Sequence, residues 1–494
     1  MRNSPFVMII FGVTGDLALH KLFPALFSLF KKNQLGEKFF IVGFARRELT
    51  DERFRSTVYE TRGQHKDKDW RKFSKNIYYQ QGLFDEQEGY GKLIKRLNYF
   101  DKQMGACISR LFYLATPPDH YSTILDFLHK TKLSEGCGQG SSKWTRLIIE
   151  KPFGKDLETA RRLDKKLSKI FEEKQIFRVD HYLGKETVQN MVVFRFANGI
   201  FEPVWNKNYI DHVQITFGEL KGIGGRGAFF DGVGMLRDVG QNHLMQLIAA
   251  VAMEQPKSFS KEGVRDARAA VIKALRSIEP VEVSKSIVRG QYNGYKEEEN
   301  VDSDSSTETF IAMKLFIDTP RFNGVPFYVR AGKKMPKDVV EISIVFIQTC
   351  HLLFKEFGCP EEGNILRIRI QPDEGIGIRV IAKKPSFAPL KREALEGKPE
   401  TKLKLATVNL EFRYQEEFGG KMSDAYEKIL VDILSGDKML FSRSDELESS
   451  WTFITKILEG WRMNNGKLFN YTQGTWGPKE ANDLIQKDGR KWIE

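Results

Sequence analysis

The chain has 494 residues, of which 41% are hydrophobic and 29% are charged, and its formal net charge is +12. This composition excludes a disordered chain, and the length exceeds what one hydrophobic core usually supports, so we expect two domains. No apolar run reaches the ~18–20 residues that a membrane-spanning helix needs.

The charged residues and cysteines exclude further classes of protein. Lysine and arginine alternate with acidic residues, as in RRLDKK (161–166), whereas a nucleic-acid-binding protein would concentrate them on one face. We therefore expect a mildly basic surface that binds no nucleic acid and tolerates a phosphorylated substrate. The cysteines (Cys107, Cys137, Cys350 and Cys359) form no CxxC pair, which favours reduced thiols in a cytoplasmic protein.

A buried strand and a glycine-rich turn open the chain. Residues 6–12 (FVMIIFG) are continuously apolar, and Gly12 and Gly15 follow the spacing GxxG. Such a turn brings backbone close to a pyrophosphate, although the spacing alone fits an ordinary strand–helix turn equally well. The next strand, FFIVGFA, is followed by Arg46 and Arg47, at the place where a dinucleotide fold reads the ribose 2′-position. Arginine there accommodates a 2′-phosphate, which favours NADP over the alternative of a solvated surface pair.

Strand-like and helix-like segments alternate up to about residue 177. The runs at 110–118 and 145–154 repeat the buried-strand pattern, and 156–174 has apolar residues at helical spacing with Asp156 as N-cap. This alternation predicts a doubly wound parallel sheet of the Rossmann type over residues 1–177.

The segment RVDHYLGKETVQN (178–190) is polar nearly throughout. Its few apolar residues recur at neither a helical nor a strand period, so we do not expect a core element. Arg178, His181 and Lys185 suit an anion, and Asp180 could orient a histidine base. The sequence therefore predicts an anion site at this segment.

Residues 238–256 (DVGQNHLMQLIAAVAMEQP) predict an apolar helix that ends at Pro256, with Asp238 and His243 in its first turn. A rigidly mounted histidine suits general-base catalysis, although a lone buried histidine is more often structural. Three further polar residues are candidates for the same site, each with a surface charge as the alternative: Lys151, Glu219 and Lys333.

From 310 to 413 strand candidates follow one another, and no helix-length segment clearly separates most of them. This pattern predicts a mainly antiparallel sheet, accompanied by helices, in a larger second domain over residues 178–494. The acidic, Ser/Thr-rich stretch 295–309 predicts an exposed loop.

Many of these segments, in this order, resemble the glucose-6-phosphate dehydrogenase family. The matches include FGVTGDLALHKLFPAL, IVGFARREL, IIEKPFGKDL, RVDHYLGKETVQN, LRDVGQNHLMQL and GVPFYVRAGK, and they cover nearly the whole chain. The resemblance implies oxidation of D-glucose 6-phosphate to 6-phosphoglucono-δ-lactone with reduction of NADP, the first step of the oxidative pentose phosphate pathway. It also implies a homodimer or homotetramer in the cytoplasm, with no membrane association and no metal.

The resemblance also implies residue roles. His243 is the general base and Asp180 its carboxylate partner. The substrate-binding residues are expected to be His181, Tyr182, Lys185, Lys151, Glu219, Asp238, Lys333 and Lys337. The coenzyme-binding residues are expected to be Gly12, Thr14, Gly15, Asp16, Leu17, Arg46 and Lys151.

Two departures from the family pattern concern the segment that follows Lys333. A second basic residue of the family falls by count on Asp338, and we assign its role to the neighbouring Lys337. Because KKMPKDVVEIS becomes acidic and apolar, we do not expect a second, structural NADP. Two alternatives remain: another NAD(P)-dependent sugar oxidoreductase with a Rossmann and a sheet domain, or a basic nucleic-acid-binding protein.

Overall fold

The computed structural model describes residues 4–61, 68–138, 140–355, 359–385, 405–419, 424–463 and 466–494. Its strands are β1 Phe6–Phe11, β2 Phe39–Ala45, β3 Ile77–Gln81, β4 Ser109–Leu114, β5 Thr145–Glu150, β6 Ile176–Val179, β7 Ile210–Gly218, β8 Ile287–Tyr292, β9 Phe310–Leu315, β10 Phe327–Gly332, β11 Val339–Phe346, β12 Ile365–Gln371, β13 Gly375–Lys383, β14 Leu405–Arg413, β15 Phe441–Ser442 and β16 Leu468–Tyr471.

The α-helices vary from a single turn to five turns. They are α1 Phe23–Lys31, α2 Asp51–Glu60, α3 Lys68–Ser74, α4 Gln87–Met104, α5 Tyr121–Lys130, α6 Leu157–Ile170, α7 Glu186–Phe196, α8 Gly227–Phe230, α9 Met245–Ala252, α10 Lys261–Lys273, α11 Val283–Ser286, α12 His351–Phe354, α13 Tyr414–Phe418, α14 Ala425–Ser435, α15 Ser444–Arg462 and α16 Lys479–Gln486. Two π-helical segments, Ala18–Leu22 and Leu236–Leu244, precede α1 and α9.

The first sheet has seven strands in the order β15-β6-β5-β4-β1-β2-β3. Strands β1 to β6 are parallel, and only the short β15 runs antiparallel to its neighbour. Every residue of β1, β2 and β4 is buried, which explains why these runs are apolar without alternation except at Ser109 and Arg110, the first two residues of β4. The order 3-2-1-4-5-6 reverses between β1 and β4, as in a doubly wound dinucleotide-binding fold, so the predicted fold class is confirmed for this part.

The second sheet has nine strands in the order β14-β13-β12-β11-β7-β10-β9-β8-β16. It is mainly antiparallel, as predicted, and the strand candidates between 310 and 413 correspond to β9 through β14, although residues 403–404 of the last one lie outside the described residues. The sequence did not predict β7, which lies at the centre of the sheet and pairs in parallel with β10.

The chain divides into two compact units. The first comprises Met1–Glu186, Glu254–Ala270 and Ser423–Thr452, and the second comprises Thr187–Met253, Val271–Met422 and Phe453–Glu494. The first unit thus extends beyond residue 177 and includes two segments from later in the chain. Among the described residues, every helix is either too short or too polar to cross a lipid bilayer.

The prediction of four reduced thiols is wrong for this structure. Cys107 is disulfide-bonded to Cys137 and Cys350 to Cys359, with Cα atoms 5.7 and 5.9 Å apart. The first pair is 30 residues apart in the sequence, but both members lie next to the parallel sheet, Cys107 before β4 and Cys137 after α5. Distance along the sequence therefore did not indicate distance in space.

The prediction of an exposed loop at 295–309 is also wrong at both ends of that stretch. Tyr295, Glu308 and Thr309 are buried, because hydrogen bonds join the stretch to other segments of the second unit. The Tyr295 hydroxyl donates to Asp231 (3.1 Å), and the Gln291 amide donates to carbonyls at both Ser305 and Thr307.

Candidate active site

In the first unit, the candidate residues follow the carboxyl ends of neighbouring parallel strands. Glu150, the last residue of β5, lies opposite Val179, the last residue of β6. Lys151 and Asp180 therefore leave the sheet side by side at one edge. In open parallel sheets, ligands bind at this edge, near the point where the strand order reverses.

The glycine turn after β1 lies at that reversal point. Gly12 has φ +80°, and a Cβ built on it would lie only 2.6 Å from the carbonyl oxygen of Ala115, so glycine is required there. The Gly15 amide donates to the Gly12 carbonyl (3.0 Å), and the Leu19 amide donates to the Gly15 carbonyl (3.1 Å), which starts the following helix. Thr14 and Leu17 are half-buried, and Asp16 is exposed at the helix start.

Arg46 and Arg47 follow β2 at the same edge of the sheet. Both side chains are exposed, while Ala45 before them is buried. A tight glycine turn at the reversal point and exposed guanidinium groups after β2 fit a dinucleotide that carries a 2′-phosphate.

The segment after β6 is a tight turn that the sequence pattern did not predict in detail. Successive amides at Leu183, Gly184 and Lys185 each donate to the carbonyl three residues earlier (3.1 Å). The carboxylate of Asp180 is buried and accepts from the Tyr182 amide at 3.0 Å, which fixes its orientation. The turn therefore holds its polar side chains on a rigid backbone.

Arg178 is not part of an anion site, contrary to the prediction. It belongs to β6, is buried, and donates to Asp164 (2.6 Å) and to both oxygens of Glu173 (2.9 and 2.8 Å). The expectation that 178–190 contains no core element is thus wrong at both ends. Arg178 and Val179 belong to β6, because acidic partners from elsewhere in the unit allow an arginine inside the sheet. Residues 186–190 begin α7, in which Thr187 and Val188 are buried.

A buried carboxylate next to Lys151 escaped the sequence analysis. Glu150 accepts hydrogen bonds from the hydroxyls of Tyr113 and Tyr426 (3.4 Å for Tyr426). Burial raises the pKa of Glu150 to about 7, and these hydrogen bonds and Lys151 partly offset that increase. The ring of Tyr426 also stacks on His181, with centroids 6.2 Å apart. No local signal links Tyr426 to a strand end that is so distant in the sequence.

In the second unit, parallel strand ends again place two candidates together. Gly218, the last residue of β7, lies opposite Gly332, the last residue of β10. Glu219 and Lys333 follow directly, and the Lys333 ammonium donates to the Glu219 carboxylate. The Lys333 side chain is 1% exposed and that of Glu219 is 34% exposed, so the carboxylate is the accessible member of the pair.

Asp238 and His243 lie in the π-helical segment Leu236–Leu244. His243 is buried, and its ring stacks on Phe217 of β7 with centroids 6.1 Å apart and planes 6° apart. Asp238 is half-buried. π-Helical turns occur often at functional sites, because they change which side chains share a face.

The predicted end of this helix at Pro256 is wrong. Helix α9 ends at Ala252, because side chains from elsewhere in the unit satisfy its last carbonyl groups. The Arg195 guanidinium donates to Val251 (3.2 Å) and Met253 (2.6 Å), and the Trp205 indole donates to Val251 (2.9 Å).

Two further residues complete the second unit's candidates. Glu308, which the sequence analysis missed, is buried, and its carboxylate accepts from the Leu236 amide (3.0 Å) at the start of the π-helical segment. Burial raises the pKa of Glu308 above its ordinary value. Lys337 is exposed, and its ammonium lies 5.5 Å from the centre of the Trp476 ring.

Comparison with known proteins decides the family. Residues 9–190 match the model described as glucose-6-phosphate dehydrogenase, NAD binding domain, and residues 192–493 match that of the C-terminal domain. The chain belongs to the glucose-6-phosphate dehydrogenase family. Its resemblance to that family, its two-part fold and its class as an oxidoreductase are therefore confirmed.

Relatives match over the whole chain. Glucose-6-phosphate 1-dehydrogenase of Chlamydia pneumoniae is 43% identical over 507 aligned residues, which cover 99% of this chain and 96% of the relative. That of Aggregatibacter actinomycetemcomitans is 42% identical, with coverage of 100% and 98%. A solved structure of glucose-6-phosphate dehydrogenase in complex with its substrate glucose-6-phosphate is 34% identical, with a TM-score of 0.87 and coverage of 100% and 99%.

The buried Glu150 predicts a distinct dependence of stability on pH. Its folded pKa is about 7 against an ordinary 4.5, so between these values the folded chain holds a proton that the unfolded chain has lost. The free energy of unfolding should therefore decrease as pH rises from about 4.5 to 7, by on the order of 1–3 kcal/mol from this group. Glu150→Gln has no such proton, so its stability relative to wild type should increase from pH 5 to pH 8.

Urea unfolding at pH 5, 6.5 and 8 measures this difference. Glu48→Gln, at an exposed position of the same unit, is the matched control and should run parallel to wild type. Parallel curves for Glu150→Gln and wild type would show that Glu150 does not titrate in this range.

Proposed function

We propose that this protein oxidises D-glucose 6-phosphate to 6-phosphoglucono-δ-lactone with NADP, using His243 as general base and Asp180 as its carboxylate partner. The reaction and the coenzyme follow from membership of the family. The observation that carries the residue assignment is the placement of candidates directly after paired strand ends, Lys151 and Asp180 in one unit and Glu219 and Lys333 in the other.

His243 suits the proton-transfer step. The base must accept the proton of the C1 hydroxyl, and histidine does so near neutral pH. Stacking on Phe217 and the π-helical backbone hold the ring in one orientation. A carboxylate partner such as Asp180 selects the tautomer and stabilises the imidazolium that forms.

The coenzyme is assigned to the glycine turn and to Arg46. Gly12, Thr14, Gly15, Asp16 and Leu17 would hold its pyrophosphate, Arg46 its 2′-phosphate, and Lys151 would lie near its nicotinamide end. When bound, NADP accepts the C1 hydride at nicotinamide C4. The ratio of NADP to NAD activity in Arg46→Ala measures the part that this arginine contributes.

The substrate is assigned to two groups of residues. His181, Tyr182 and Lys185 bind the phosphate, because the rigid turn after β6 directs donors suited to an oxyanion. Lys151, Glu219 and Asp238 bind sugar hydroxyls, Lys333 orients Glu219, and Lys337 is a further contact.

The remaining assignments concern the parts of the chain and its surroundings. Residues 1–177 bind the coenzyme and contribute Lys151 to the substrate site. Residues 178–494 supply the other substrate-binding residues and form the contacts of a homodimer or homotetramer, whose subunits analytical ultracentrifugation can count. The protein acts in the cytoplasm, where its charged substrate and coenzyme are retained, and it binds neither nucleic acid nor membranes.

A cytoplasmic location predicts that all four cysteines are thiols in living cells, since that compartment keeps thiols reduced. Cells quenched in acid, denatured and alkylated should therefore yield chains with four modified cysteines. The pairs that the structure joins, Cys107 with Cys137 and Cys350 with Cys359, would then bond only on oxidation, which a parallel sample alkylated after air exposure should show. Protection of both pairs in the quenched cells would contradict the cytoplasmic assignment.

Replacement of the base should abolish most of the turnover. General-base catalysis is typically worth ~10²–10⁴-fold, so kcat of His243→Asn should fall by at least that order, while calorimetry shows little change in glucose 6-phosphate binding. Asp180→Asn should give a smaller loss, and the two losses should be non-additive, as for residues that act together.

The pH profile provides the control for this prediction. The wild-type rate should rise through an apparent pKa near that of histidine, and His243→Asn should lose this limb. His212→Asn replaces another buried histidine of the same unit, bonded to Asp211 (2.6 Å), and should keep it. If His243→Asn kept the wild-type kcat and the same increase of rate with pH, His243 would not be the general base.

The phosphate assignment predicts selective loss of the phosphorylated sugar. A charge-assisted hydrogen bond contributes about 1.5–3 kcal/mol, so Lys185→Ala should lower kcat/KM for glucose 6-phosphate about ten- to hundredfold. Activity with free glucose should change little, because glucose has no phosphate. Lys174→Ala, at an exposed lysine of the same unit, is the control, and an unchanged ratio between the two sugars in Lys185→Ala would show the assignment to be wrong.

A further inference from the structure

The backbone that carries Arg46 is held by the strand next to it. Tyr79 lies in the middle of β3. Its hydroxyl is shared between two carbonyl oxygens, that of Arg47 and that of Ala45, which lies 3.1 Å away. The Gly82 amide donates to the Ala45 carbonyl as well (3.0 Å). The carbonyl groups on both sides of Arg46 are thus fixed while its side chain stays exposed.

Tyr79 is itself rigidly placed. It is 3% exposed, its amide donates to Asp51 at 2.6 Å, and its ring packs on Phe54 with centroids 5.1 Å apart. Asp51 is also paired with Arg96 (3.2 Å). Burial raises the pKa of the Tyr79 hydroxyl to about 12, so it remains a protonated donor at physiological pH.

An exposed arginine loses side-chain and backbone freedom when it binds a phosphate, and a fixed backbone lowers that loss. The fixed segment carries two guanidinium groups at the position where the ribose 2′-substituent is read. A hydroxyl that holds this backbone can therefore influence which coenzyme is bound.

We propose that Tyr79 is a positioning residue for coenzyme discrimination, which acts by bridging the carbonyls on either side of Arg46. This inference rests on the proposed assignment of Arg46 to the 2′-phosphate of NADP. It adds a residue that contacts the arginine segment from the neighbouring strand.

Tyr79→Phe keeps the buried ring and removes only the hydroxyl. Loss of one hydrogen bond of this kind predicts an increase of about two- to tenfold in KM for NADP, with kcat nearly unchanged and with kcat/KM for NAD unchanged. In an Arg46→Ala background, Tyr79→Phe should add no further loss with NADP. Tyr78→Phe, on the same strand with its ring packed against Phe40 and Phe100, is the matched control.

Calorimetric binding of 2′,5′-ADP and of AMP gives a second readout that does not require turnover. Tyr79→Phe should weaken 2′,5′-ADP and leave AMP unchanged. Suppose first that Arg46→Ala lowers kcat/KM for NADP selectively. If Tyr79→Phe then lowers kcat/KM equally for NADP and NAD, or has its full effect in the Arg46→Ala background as well, the positioning role of Tyr79 alone is overturned. An Arg46→Ala variant that loses both coenzymes equally would overturn the phosphate assignment and this inference together.

Discussion

Backbone pairing between parallel strands determines where the candidate residues of each unit emerge. Because the last residues of β5 and β6 are partners in the ladder, Lys151 and Asp180 leave the sheet as neighbours, whatever their own side chains prefer. The pairing of β7 with β10 does the same for Glu219 and Lys333. The apolar cores of the strands thus supply the rigidity, and the polar residues at their ends are those to which we assign the chemistry.

Next to the candidate residues, each unit also buries a carboxylate. Glu150 and Glu308 are both buried, and burial raises the pKa of each. Each accepts a hydrogen bond from a segment that carries candidate residues or contacts one. Glu150 accepts from Tyr426, whose ring stacks on His181, and Glu308 accepts from the first amide of the π-helical segment. A buried carboxylate without such donors would be strongly unfavourable, so the supporting hydrogen bonds and the position of the segments depend on each other.

The sequence predicted those features that are encoded locally. Unbroken apolar runs marked the parallel strands, Asp156 caps α6 as expected, and Arg46 follows β2. Features that depend on distant partners were missed or misread. Arg178 looked like an anion ligand because the sequence does not reveal Asp164 and Glu173 as its partners. The contact of Tyr426 with Glu150 joins residues that are 276 positions apart in the sequence. The disulfide between Cys107 and Cys137 likewise joins residues that are distant in the sequence, 30 positions apart.

The discontinuous first unit has a consequence for biosynthesis. A nascent chain that has reached Glu186 already contains β1 to β6, and these strands can form the parallel sheet. The segment Ser423–Thr452, with α14, β15 and Tyr426, leaves the ribosome only after most of the second unit. Until then Glu150 lacks one of its donors and His181 its stacked ring. The sheet that binds the coenzyme is therefore available early in translation, whereas the surroundings of His181 mature only after most of the second unit has been synthesised.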